Sequence, residues 1–224
     1  LAPMMNVGLI TVNEILKETM NYYRKHKIIK INNLEGFIRQ IIGWREYVRY
    51  VYIYNKDLQD ENYFGNDKSL SKSWYNGTTG ILPVDDTIKS AFKYGYIHHI
   101  QRLMVVANFM NLSGISPNAA YRWFMEFSCD SYDWVMVPNI YSMGFWADNG
   151  LMMRKLYISS DNYILNMSNY HRAEWCNIWR ALYYAFINKH RNKLKDTIYK
   201  NAIKIYDNMT NEEKKIIGKL VNKF

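Results

Sequence analysis

Few residues of this chain are placed to do acid–base or anion-binding chemistry, and most of them fall into two stretches. In "YIHHIQRLMVVANF", His98 and His99 are followed by Arg102. Imidazole is the side chain whose ordinary charge change lies near neutral pH, and a guanidinium three residues further on shares its helix face. Ile88, Phe92, Gly95, His99, Leu103, Val106 and Met110 recur at helical spacing, with His99 central and Arg102 at the edge of the stripe. A half-buried arginine needs a carboxylate. The nearest without another role are Asp130 and Asp133, in "CDSYDWVMVPN". His99 is then either a satisfied core histidine or an acid–base group, and the "CDSYDWVMVPN" segment is either an ordinary loop with a helix-capping aspartate or a ligand-surrounding backbone.

The second stretch is "EGFIRQIIGWREYVRYVY", Glu35 to Tyr52. At about 100° per residue, Phe37, Ile41, Trp44, Val48, Val51 and Tyr52 share one face, and Arg45 falls at its edge. Two explanations stand. Arg45 lays its stem over apolar surface and keeps its head in water, or it grips a carboxylate or phosphate in two-pronged fashion. In the second case Gly43 gives a flat ligand room to approach.

These residues need helices to hold them. Thr11 and Glu14 have capping-box spacing and open a helix to about His26. The second helix is the stretch just described. Residues 54–83 lack periodicity and predict a long surface loop or lid. Asp85 or Asp86 is expected to cap one long helix to about Asn111, ended by Gly114. Ser116 and Pro117 start another. Residues 129–170 mix helical scraps and turns. Two helices flank His190, and Thr210 with Glu213 caps the last. No stretch alternates with period two, so the expected fold is all-α, one helical domain over residues 1–224 with long irregular connections.

Composition narrows the function classes. Among 224 residues, 29 basic against 20 acidic give a net charge of +9, which suits a polyanionic partner or simple solubility. Twenty tyrosines and seven tryptophans serve core packing or stacking on planar ligands. Two cysteines, Cys129 and Cys176, are too few for a four-thiolate site and suggest an intracellular, reducing compartment. There is no membrane-length apolar run and no signal peptide. Phosphate-loop, dinucleotide-fold, zinc-protease and nucleophile-elbow motifs are all lacking. The chain begins at Leu1, as a processed chain or the downstream part of a longer one would.

The stretches "EGFIRQIIGWREYVR", "YIHHIQRLMVVANF", "AAYRWFMEF" and "DSYDWVMVPNIYSMGFWADNGL" follow one another in the order of a known family. Together with "LAPMMNVGLI" and "YISSDNYILNMSNY", they resemble the C-terminal flavin-binding helical domain of the deoxyribodipyrimidine photolyase-related proteins. These are the bacterial (6-4) photolyases and iron–sulfur cryptochromes. The resemblance runs from Leu1 to about Phe186 and implies an FAD-binding, all-α domain acting on damaged DNA. By resemblance, light-driven electron transfer from reduced FAD repairs a (6-4) pyrimidine photoproduct. His99 is the catalytic histidine and Trp123 the ring next to the flavin. Gln40, Arg45, Arg102, Asp130 and Asn139 contact or brace the cofactor, with Asn139 facing flavin N5. Trp44 and His98 line the lesion side.

Departures from the family are equally specific. The N-terminal α/β antenna domain has no counterpart, which implies a separate N-terminal photolyase-like polypeptide as partner. Leu1 begins inside the phosphate-binding loop, with Ala2 where a serine is usual. Pro83 stands at one iron–sulfur ligand position and "NYHRAEWCNIW" replaces the cysteine-rich loop, so the cluster is expected to be lost. Phe124 replaces a tyrosine, and Gly144 and Phe145 are expected to alter the pocket lining. A degenerate or split-gene remnant that keeps the fold without catalysis, and a non-repair flavin photosensor, are the alternative outcomes.

Overall fold

A computed structural model describes residues 1–26 and 28–222. The chain is all-α. Its helices are α1 (Ala2–Asn6), α2 (Val12–Lys25), α3 (Ile31–Ile38), α4 (Arg45–Tyr54), α5 (Ser73–Asn76), α6 (Leu82–Tyr94), α7 (Asn108–Leu112), α8 (Pro117–Phe127), α9 (Asp133–Val137), α10 (Asp161–Asn166), α11 (Glu174–Lys189), α12 (Arg191–Leu194), α13 (Lys200–Asp207) and α14 (Asn211–Val221). Three π-helical segments, Arg39–Trp44, Gln101–Ala107 and Pro138–Gly144, interrupt or extend them. Among the described residues the only β-type pairing is an isolated parallel bridge between Lys68 and Ile115.

Local chemistry explains the helix starts. The Thr11 side chain accepts from the Glu14 N–H at 3.2 Å, while Glu14 accepts from the Thr11 N–H at 2.8 Å. Thr210 and Glu213 repeat that reciprocal box. Ser116 caps α8 by accepting from the Ala119 N–H, with Pro117 at the first position.

The long helix expected from Asp85 or Asp86 to Asn111 is two helices. Gly95 adopts a left-handed φ of 62° and ends α6. Helix resumes at His99, where His98 Nδ1 accepts from the Ile100 N–H and Gln101 accepts from the His98 N–H, a capping box with an imidazole in it. The start also differs. Ile81 occupies the N-cap position of α6, and Asp85 reaches back to accept from the N–H groups of Thr79 and Gly80. Residues 54–83 are not a surface lid. Leu58, Phe64 and Trp74 are buried, and Asn66 donates to Asn111 Oδ1 at 2.8 Å.

The tyrosines and tryptophans serve packing first. Trp123, Trp179, Tyr141, Phe109, Phe124 and Phe145 are among the largest side chains shut fully inside. Leu34, Ile41, Val48 and Val51 bury the inner face of the α3–α4 stretch. Asp161 is fully buried and holds Arg180 in a two-pronged pair at 3.0 and 2.5 Å, tying α10 to α11.

Candidate functional site

The three π-helical segments all reach one pocket of about 190 Å³. Trp44 comes from the first; Arg102, Leu103 and Ala107 from the second; Asn139, Ile140, Met143 and Gly144 from the third. A π turn carries one residue more than the α ladder accommodates, so it widens the helix locally and re-aims side chains, which suits a functional site. Gly144 keeps this approach close. A Cβ on it would lie 3.3 Å from Ala107 Cβ and 3.4 Å from the Asn139 carbonyl oxygen.

On the pocket's polar side, Arg102 Nη1 donates to Asp130 Oδ1 at 2.9 Å. The two side chains are only 14% and 13% exposed. Arg102 Nε donates to the Ile97 carbonyl at 2.8 Å, and Ser128 Oγ donates to the same Asp130 oxygen. The Tyr96 ring lies 5.0 Å from the guanidinium carbon. One group is left over: Arg102 Nη2 is buried with no hydrogen-bond partner. Guanidinium donors are seldom buried without an acceptor. His99 lines the same pocket. Loss of solvation, then the Arg102 charge and His98, hold its pKa below 6.5.

Trp44, His99, Arg102, Asp130 and Asn139 thus meet at one cavity although they span almost a hundred residues of sequence. Asn139 is anchored by donating to the Val135 carbonyl at 2.8 Å. Four expected site residues lie elsewhere. Gln40 is exposed and lines no wall of the pocket. Arg45 follows Trp44 directly, and consecutive helical residues point about 100° apart. Its guanidinium stacks 4.7 Å from the Trp134 ring in an outer groove with Arg49 and Tyr52. His98 is exposed and works as a helix cap. Trp123 is fully buried behind Phe124, ring centroids 5.0 Å apart, and it is Phe124 that lines the pocket. Gly144 lines the pocket as expected, whereas Phe145 turns into the core.

Sequence reasoning missed Asn6. Its Oδ1 accepts from Arg45 Nη1 at 3.0 Å, and its Nδ2 donates to the Asp130 carbonyl at 3.0 Å. It therefore pins the loop that carries Asp130 to α4 from outside. Residue type and spacing gave no signal for this; Asn6 merely lies within "LAPMMNVGLI".

Fold and pocket define a helical domain shaped to take a flat, polar-edged group against an arginine–aspartate pair. Residues 37–166 match the family described as the FAD binding domain of DNA photolyase. The chain belongs to that family. Over 204 residues it is 38% identical to a (6-4) photolyase of Agrobacterium fabrum, covering 85% of this chain and 40% of that protein's length. Two uncharacterized proteins of Acanthamoeba polyphaga mimivirus are also similar. One is 54% identical over 93 residues (41% of this chain, 76% of the relative), the other 44% over 95 residues (42% and 73%).

FAD is the cofactor of this domain class, and the pocket suits part of it. The walls are largely apolar, and Arg102 Nη2 offers an unused donor to a ring carbonyl or nitrogen. About 190 Å³ falls below the roughly 300–1,000 Å³ that encloses a drug-sized ligand, so the pocket takes a portion of the dinucleotide. Among the described residues, no group of three or more His, Cys, Asp or Glu could hold a metal. No described helix is long and apolar enough to cross a membrane. Cys129 is exposed, Cys176 is buried, and both are free.

Proposed function

We propose that this chain is the cofactor-holding part of a light-driven DNA repair protein acting on (6-4) pyrimidine photoproducts. In this reading it works with an N-terminal photolyase-like polypeptide. The observation that carries it is the buried, unpartnered Arg102 Nη2 in a pocket shared with Asp130, Asn139 and His99. A reduced flavin bound there supplies the light-excited electron.

The chain's own residues do the rest. Asp130 orients Arg102, so its free N–H faces the ligand without reorganising. The apolar walls exclude water and strengthen that contact. Trp44 offers a ring at the lesion side, and Asn139, anchored on Val135, would present its polar side chain to the bound flavin. His99, exposed at the pocket mouth with its pKa lowered, takes up a proton when the negative charge of DNA reaches it. It then passes that proton from its ring nitrogen to the photoproduct. Trp123 relays charge through the aromatic packing around Phe124. The net charge of +9 draws the phosphate backbone toward the protein.

The test is a visible spectrum of the chain reconstituted with FAD, alone and with a photolyase-like N-terminal polypeptide, followed by blue-light repair of (6-4)-photoproduct DNA. A colourless protein in both preparations refutes the flavin reading. A yellow protein that binds such DNA without repairing it refutes the enzymatic one. Undiminished repair by His99→Ala removes the proton-transfer role.

A further inference from the structure

A separate cavity of about 260 Å³ shares no lining residue with the flavin pocket. Its polar wall consists of Lys68, Ser69, Ser71, Ser73, Thr79 and Ser113, and no acidic residue lines it. The backbone around it is fixed. The Lys68 N–H donates to the Gly114 carbonyl at 3.0 Å, and the Lys68 carbonyl accepts from the Ser116 N–H at 2.9 Å. Gly114 has φ of +80°, and a Cβ there would meet the Lys68 stem at 3.8–3.9 Å. The lysine side chain therefore crosses that glycine.

The donors are unevenly used. Thr79 is spent: its hydroxyl donates to Asp85 and accepts from the Ile81 N–H. Asp85 is likewise occupied by three donors from Thr79 and Gly80. Ser71 Oγ and Ser73 Oγ lie 2.6 Å apart, so one hydroxyl hydrogen joins them and the other is free to point into the cavity. Ser113 is 6% exposed, and its Oγ is buried with no hydrogen-bond partner. A buried hydroxyl left unpaired in this way is destabilising, so an acceptor brought into the cavity would find a donor in Ser113. An ammonium with three donors and several free hydroxyl hydrogens, facing no carboxylate of the lining, is a match for a tetrahedral oxyanion.

We propose that this cavity binds a phosphate group, held by the Lys68 ammonium and the hydroxyls of Ser69, Ser71, Ser73 and Ser113. The same chemistry serves inorganic phosphate and a phosphate of a nucleic-acid backbone, and the experiment separates them.

Thermal unfolding of the full chain is followed in phosphate-free buffer with added sodium phosphate, against sodium chloride at equal ionic strength. The expected result is a saturable rise in Tm with phosphate alone. Lys68→Met and Ser113→Ala each weaken phosphate binding about tenfold, and Ser113→Ala raises Tm in phosphate-free buffer because it removes an unpaired hydroxyl. A second arm measures anisotropy of a labelled DNA oligonucleotide at several salt concentrations. If the backbone occupies the cavity, Lys68→Met lowers the log–log salt slope by about 0.9 and inorganic phosphate competes. If free phosphate is the occupant, DNA affinity is unchanged while the phosphate response disappears. The absence of any phosphate-specific Tm shift, or an unaltered shift in the Lys68→Met, Ser113→Ala double variant, overturns the proposal. Circular dichroism of each variant confirms its fold, and the exposed Ser71→Ala offers a milder substitution with the same expected direction.

Discussion

Replacing Asp130 by Asn is the sharpest test of the pocket. The substitution keeps the shape of the side chain and an acceptor oxygen for Arg102 Nη1 but removes the charge. Severing a buried ion pair outright costs about 3–5 kcal/mol because it strands a charge. Both side chains are nearly buried at 14% and 13% exposure. The amide still accepts a hydrogen bond, so the expected loss is smaller, about 2–3 kcal/mol. For a chain of this size that corresponds to a drop of roughly 4–12 °C in Tm. Urea unfolding read by circular dichroism measures it. An internal control is available in Arg191 and Asp207, which meet at 2.8 Å but are 44% and 46% exposed. Asp207→Asn should cost well under about 1 kcal/mol. Equal losses for the two variants, or a loss below about 0.5 kcal/mol for Asp130→Asn, would show that burial does not set the strength of the Arg102 pair. The guanidinium would then not be preorganised by Asp130.

Four further outcomes are expected. Asn6→Asp keeps an acceptor for Arg45 but no donor for the Asp130 carbonyl, so it should loosen cofactor binding as much as Asn6→Ala does, measured by FAD titration; full binding by Asn6→Asp would place the effect on the Arg45 side. His99 has its pKa lowered from 6.5 in the free protein, so kcat/KM for a step that requires its imidazolium should rise as pH falls below 6.5, and a kcat/KM–pH profile flat from pH 5 to 7 would contradict it. His190, packed 4.9 and 4.5 Å from the Phe64 and Phe186 rings, has its pKa pushed down to about 4 by burial and then by Lys189 and Lys193. The unfolded chain then binds the extra proton below pH 6.5, so stability should fall by about 3 kcal/mol between pH 6.5 and 4, and His190→Leu should flatten that slope in urea melts. Gly144→Ala forces Ala107 or the Asn139 backbone to yield a few tenths of an ångström; a loss of about 1–3 kcal/mol and weaker FAD binding are expected, checked by melting with and without cofactor.

The sequence by itself determined what depends on near neighbours. The two Thr–Glu capping boxes and the Ser116 cap each reach three positions along the chain, and the structure has all of them. The all-α fold followed from helical periodicity. The need of Arg102 for a carboxylate was legible, with Asp130 and Asp133 as candidates, and the structure gives it Asp130. By spacing alone Gly95 is one position of a helical stripe. Its left-handed φ, with His98 capping the next helix, is settled by backbone geometry that a residue count does not reveal. Tertiary structure alone decided the rest. Trp44 stays on the inner face that helical spacing gave it, but only the fold brings it to one cavity with Arg102 and Asn139 and stacks Arg45 on Trp134. Asn6 joins Asp130 across 124 residues, and the unpaired nitrogen of Arg102 exists only because Ile97 and Asp130 occupy its other donors. Such contacts depend on where the whole chain places each group, and no local pattern of residue types encodes them.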